Sequence, residues 1–132
     1  MGMTARRPMM TGQKGYVMEV IKTNVSDKKA AFRLMHSQQT EKMQDLEGQT
    51  IAINDYVLFL DGEAPAGPDE QDKRKRIFAL DVNGTVYGTI SKTFIDSVMD
   101  IINVFEGDSD WAVAVKGNDS KSGRHFIYAE VV

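Results

Sequence analysis

The chain contains no cysteine. That absence excludes disulfides, thiolate metal sites and cysteine nucleophiles, and it suits a reducing cytosol. No apolar run approaches the roughly 20 residues of a membrane span, and the N-terminus lacks the apolar region of a signal peptide. Met1-Gly2 opens like a myristoylation site, but Arg6 stands where such a site has Ser or Thr. A cytoplasmic protein without a membrane partner is expected. His36 and His125 do not form a metal-ligand spacing. There is no Walker A loop and no dinucleotide fingerprint. Ser120-Lys121-Ser122-Gly123-Arg124 lacks the glycine-rich cradle of a phosphate loop, and acidic pairs such as Asp69-Glu70 fall in a loop too mobile for acid–base work. No catalysis, metal or cofactor is expected.

What is present points to one domain. At 132 residues the chain is long enough to bury a core. The net charge of −3 argues against a coat of positive charge but not against a local basic patch. Charge is segregated along the sequence. Residues 1–14 carry Arg6, Arg7 and Lys14 without an acid, and read as a flexible arm open to self-association. Residues 15–132 form the domain. Within it, a mobile loop over 61–72 gathers Asp61, Glu63, Asp69, Glu70 and Asp72 among Gly and Pro, and Lys73-Arg74-Lys75-Arg76 follows at once.

Asn83-Gly84 lies between two strand-like runs, the strongest short-range hairpin signal, because a type I′ turn needs positive φ at both central residues. A two-residue turn fixes the register: Val82 faces Thr85, Leu80 faces Tyr87, Phe78 faces Thr89 and Arg76 faces Ser91. That face mixes Arg, aromatics and hydroxyls and reads as the binding surface; the alternative is that Phe78 and Leu80 fill the barrel while Ile77 and Ile90 face out. Ile77, Ala79, Val86, Gly88 and Ile90 make the opposite, apolar face, interrupted by Asp81. Phe94, Val98, Ile101 or Ile102, and Phe105 then recur at helical spacing, with Ser91 or Thr93 as N-cap and Gly107 as stop.

Strands are expected at Tyr16–Lys22, over Gln49–Leu60 with an irregularity at Asn54-Asp55, at Trp111–Lys116 and at Arg124–Val132. Residues 26–46 admit a helix capped near Ser26-Asp27, or a short strand at 31–36 followed by a polar loop. The order of strands, hairpin, helix and final hairpin is that of the OB-fold, a five-stranded Greek-key barrel that binds oligonucleotides on an open face. The expected class is therefore all-β with one α-helix, about 93–105, between strands three and four. A strand at 31–36 extends the first ribbon of that barrel, which favours the strand reading.

Aromatics on a sheet stack on any base, and cations beside them hold phosphates. On that basis Arg76, Phe78, Tyr87, Thr89 and Ser91 are candidates on the first hairpin, with Lys75 at its entrance. Lys116, Lys121, Arg124, His125, Phe126 and Tyr128 are candidates on the last. Phe32 is a stacking or a core residue. Trp111 shares a face with Val113 and Val115 and reads as core or rim.

The stretches RIFALDVNGTVYGTISKTFIDSVMDIINVF and KGNDSKSGRHFIYAEV resemble the single-stranded-DNA-binding proteins of phages, plasmids and conjugative elements of Gram-positive bacteria. FRLMHSQQTEKMQDLEGQTIAINDYVLF agrees more loosely in layout. The resemblance implies an OB-fold and sequence-independent coating of single-stranded DNA in replication or DNA transfer, and it carries Arg76, Tyr87, Ser91, Lys121 and Arg124 to the DNA face. RNA is the alternative nucleic acid. A protein-interaction or assembly module on the same barrel is the alternative function. Housekeeping bacterial single-strand binders end in an acidic tail that recruits partners. This chain ends in Tyr128-Ala129-Glu130-Val131-Val132, in an expected strand, so recruitment by such a tail is not expected.

Overall fold

A computed structural model describes residues 16–37 and 41–132. In chain order these form β1 (Tyr16–Thr23), α1 (Lys28–Met35), β2 (Glu41–Lys42), a 3-10 turn (Met43–Leu46), β3 (Thr50–Ile51), β4 (Tyr56–Glu63), β5 (Lys75–Val82), β6 (Thr85–Thr89), α2 (Lys92–Phe105), β7 (Val113–Asp119) and β8 (His125–Val131). The molecule is β-rich, with a five-stranded sheet ordered β1-β4-β5-β6-β2 and a three-stranded sheet ordered β3-β7-β8. Among the described residues no helix is long and apolar enough to cross a membrane. The arm expected over residues 1–14 lies outside the described residues.

The Asn83-Gly84 turn has the expected geometry, with φ of 53° and 88°. Phe78 pairs with Thr89, Leu80 with Tyr87 and Val82 with Thr85. The ladder ends at Thr89, so the expected fourth pair, Arg76 with Ser91, does not form. Asp81 accepts a hydrogen bond from the Gly84 N–H at 2.8 Å, which explains an acid near the tip of an apolar hairpin.

The face expected to bind is core instead, and the face expected to be core is covered too. Phe78 and Leu80 are 0% exposed. They belong to the larger core cluster with Tyr56, Leu58, Phe94, Val98, Val113, Val115 and Ile127. The Phe78 ring lies between Tyr56 and Phe94, with centroids 5.7 and 6.2 Å away. The opposite face is buried as well. Ala79 joins Val57 and Phe59 beneath Ala31 and Leu34 of α1, with Ile77 and Val86 at the margin. A sheet covered on both sides reads as continuous apolar runs, as in Tyr56–Leu60 and Ile77–Leu80, because neither face needs polar residues.

Two helices stand where one was expected. The added one, α1, replaces the strand favoured at 31–36. Asp27 caps it by accepting from Lys29 N at 3.0 Å, and Ala31 and Leu34 dock its inner stripe on the sheet. In α2, Ser91 is the N-cap, its Oγ accepting from Phe94 N at 3.2 Å, and Gly107 follows the helix with φ of 98°. This helix buries Phe94, Ile95, Val98, Ile101 and Ile102. It also covers β8, where Ser97 Oγ accepts the Ala129 N–H at 2.8 Å. That bond satisfies a donor on an edge strand that would otherwise recruit another chain.

Candidate nucleic-acid interface

Two cation-rimmed surfaces emerge. The first lies where β5, the end of β6 and the start of α2 meet. A depression of about 300 Å³ is lined by Arg74, Lys75, Arg76, Ile90 and Lys92. It adjoins one of about 360 Å³ lined by Lys42, Met43, Gln44, Ile77, Gly88, Thr89 and Ile90. Ile90 belongs to both and is 59% exposed. This surface gathers the expected Lys75, Arg76 and Thr89, with Ser91 beside them. Thr89 Oγ1 accepts from Ser91 N at 3.0 Å and Ser91 caps α2, so both hydroxyls shape the rim. Arg76 Nη2 lies 2.9 Å from Asp96 Oδ1, and Lys92 Nζ lies 2.7 Å from Asp96 Oδ2. Those two cations, Lys92 first, hold the Asp96 carboxyl below its ordinary range. Arg74 is tied more tightly, to Asp72 at 2.6 Å and to Glu19 of β1 at 3.0 Å.

The second surface is the outer face of the β7–β8 hairpin. Tyr128 stands opposite Lys116, and Phe126 opposite Asn118. The two rings are half-buried, 6.1 Å apart and tilted by 40°. Val113, Val115, Ile127 and Ala129 take the inner face, so alternation leaves these aromatics outside. Lys116 lies 3.7 Å from Glu130. Lys121 and Arg124 project from the exposed tip, where Gly123 turns the chain with φ of 87° and Ser120 N bonds Arg124 O at 2.7 Å. His125 is held on both ring nitrogens, by Asp119 at 2.8 Å and Glu47 at 2.7 Å. These carboxylates, Asp119 first, raise its pKa above 6.5. Glu47 reaches it across Gly117, where a Cβ would collide with the carboxylate.

Three expected site residues fall elsewhere. Phe78 is a core residue and presents no ring to a base, because both faces of its strand are covered. Tyr87 is half-buried and packs against the core, between Leu80 of β5 and Glu41 of β2, so only part of its ring reaches the surface. Phe32 lies on the outer face of α1, 60% exposed and stacked on His36 at 4.1 Å, separate from both surfaces. Trp111 is half-buried and its Nε1 donates to Asp108 O at 2.9 Å, as suits a rim residue. Sequence reasoning missed Lys42, Ile90, Lys92 and Asp96. The Lys92/Asp96 spacing of four on a helix was a readable signal of a neighbouring pair. Nothing local marked Ile90 as exposed.

A basic groove with an apolar floor, and an aromatic pair among cations, are chemically suited to a flexible polyanion whose bases stack. No curated protein and no solved structure matches the chain. The family model described as phage single-stranded DNA-binding protein, of the phi29 type, matches residues 11–131. The chain belongs to this family of phage single-stranded-DNA-binding proteins.

Proposed function

We propose that the protein coats single-stranded DNA with little sequence preference, without catalysis, in the cytoplasm during phage replication or conjugative transfer. The family match over residues 11–131 carries this reading. The hairpin platform of Phe126 and Tyr128 beside Lys116, Lys121 and Arg124 supplies a physical means, since stacking on aromatics is worth roughly 1–3 kcal/mol per base and ignores base identity. An OB-fold reading accompanies it. β3 and β4 act as one interrupted first strand, β3 pairing with β7 and β4 with β5, and α2 falls between the third and fourth strands so counted.

The test is fluorescence anisotropy of labelled oligo-dT at two salt concentrations, with an RNA oligomer of the same length in parallel. Binding at micromolar concentration or tighter that weakens with salt is expected, because phosphate contacts release counterions. Flat anisotropy at low salt and high protein concentration overturns the reading. The alternative, an assembly module, draws on β1, the edge strand of the larger sheet, which exposes Val20 and the bulged Ile21. A β1-dependent oligomer with no DNA affinity is the outcome that favours it. Self-association through residues 1–14 belongs to the same test, by sedimentation of the chain with and without them.

A further inference from the structure

Asp96 stands between two cations of the groove. Each of its carboxylate oxygens takes one cation of the groove, Oδ1 from Arg76 and Oδ2 from Lys92, at 2.9 and 2.7 Å. A phosphate offers the same geometry: two anionic oxygens on one centre, met by a guanidinium and an ammonium. None of the three groups is locked away. The side chains of Arg76, Asp96 and Lys92 are 37%, 46% and 82% exposed, and the Arg76 and Lys92 side chains line the depression centred on Ile90. Exposed ion pairs of this kind are weak enough to be exchanged for a ligand.

We infer that Asp96 is an internal competitor for the DNA backbone, holding Arg76 and Lys92 in the groove so that a bound single strand takes them for its phosphates only in part. Arg76 and Lys92 therefore count as phosphate-binding residues whose contribution is reduced by the work of displacing Asp96. The carboxylate does two things at once. It keeps two long, flexible cations oriented over the groove in the free protein, and it lowers the groove's affinity for any stray anion. The inference rests on the single-stranded-DNA reading and extends it to a residue that limits affinity.

The experiment compares wild type, Asp96→Asn and Asp100→Asn for binding of labelled oligo-dT across a salt series. Asp100 is exposed on the same helix, one turn on, so its substitution removes an equal charge away from the pair. Asp96→Asn is expected to tighten binding by about two- to fivefold, the size of an exposed ion pair. It is also expected to steepen the slope of log K against log salt by roughly 0.7 for each phosphate gained. Asp100→Asn is expected to change the slope little. The gain from Asp96→Asn must vanish in an Arg76→Gln/Lys92→Gln background. Equal effects of the two Asp substitutions, an unchanged slope, or weaker binding by a normally melting Asp96→Asn protein would each overturn the inference. If wild type itself fails to bind oligo-dT at low salt, it is the DNA reading that fails.

Discussion

His125 has a carboxylate on each ring nitrogen, Asp119 at Nδ1 and Glu47 at Nε2. A neutral imidazole carries one N–H and can donate to only one of them. The imidazolium donates to both, which is why the folded pKa is raised, with Asp119 the larger cause and Glu47 the next. The sign of the linkage follows. The contribution to stability is complete below the ordinary histidine value of 6.5 and is lost as pH rises through the higher folded value. The difference in melting temperature between wild type and His125→Gln should therefore be largest near pH 6 and close to zero by pH 9. Equal differences at both would show that the two contacts do not depend on charge. An NMR titration of the ring should also give a lower pKa in Glu47→Gln and in Gly117→Ala, since a Cβ at 117 displaces the Glu47 carboxylate. Charge matched in this way by two acids does little for a phosphate. Through the same two contacts His125 ties the hairpin tip that bears Lys121 and Arg124 to Glu47.

At the scale of elements, the two hairpins part company on which aromatics are structural. On β5, Phe78 is sealed between Tyr56 and Phe94. Phe78→Ala should cost about 3–5 kcal/mol of stability, and any loss of DNA binding should follow the loss of fold. On β8, Phe126 and Tyr128 share the outer face with Lys116. Phe126→Ala and Tyr128→Ala should weaken oligo-dT binding by roughly 1 kcal/mol or more each while urea midpoints move little. Unchanged affinity in both would move the stacking site elsewhere. The Asn83-Gly84 turn, its register and the capped α2 were legible in the sequence, because short-range chemistry decides them. Asn-Gly adopts positive φ wherever it sits, and Ser91 caps whatever helix follows it. The face assignment was not legible, because it depends on α1, which covers the outer face of the sheet. That helix has only eight residues and buries only Ala31 and Leu34. So short a helix is marginal alone, and tertiary docking rather than propensity holds it. The run Ile77–Leu80, apolar at every position, was the clue that both faces of the strand are covered.

The whole molecule carries a net charge of −3, so its overall field does not draw DNA toward it and binding must rest on local cations. Those cations fall into two groups. Among the described residues of the two surfaces, Lys42, Lys75, Lys121 and Arg124 have no carboxylate partner, whereas Arg74 is held by Asp72 and Glu19, Arg76 and Lys92 share Asp96, and Lys116 faces Glu130. Single strands give a slope of log K against log salt of roughly −0.7 per phosphate neutralised. If only the four unpartnered cations engage, the slope is about −3; if all eight engage without competition, it is about −6. The internal ion pairs place the wild type nearer the shallower value. A chain built this way binds less tightly than its count of basic residues suggests, and releases DNA without needing high salt. The slope therefore measures how many internal pairs the DNA breaks. A wild-type slope near about −6 would mean that the strand displaces the internal carboxylates freely. A slope near about −3 that steepens on removal of Asp96 or Glu130 would mean that the protein's own carboxylates set its affinity.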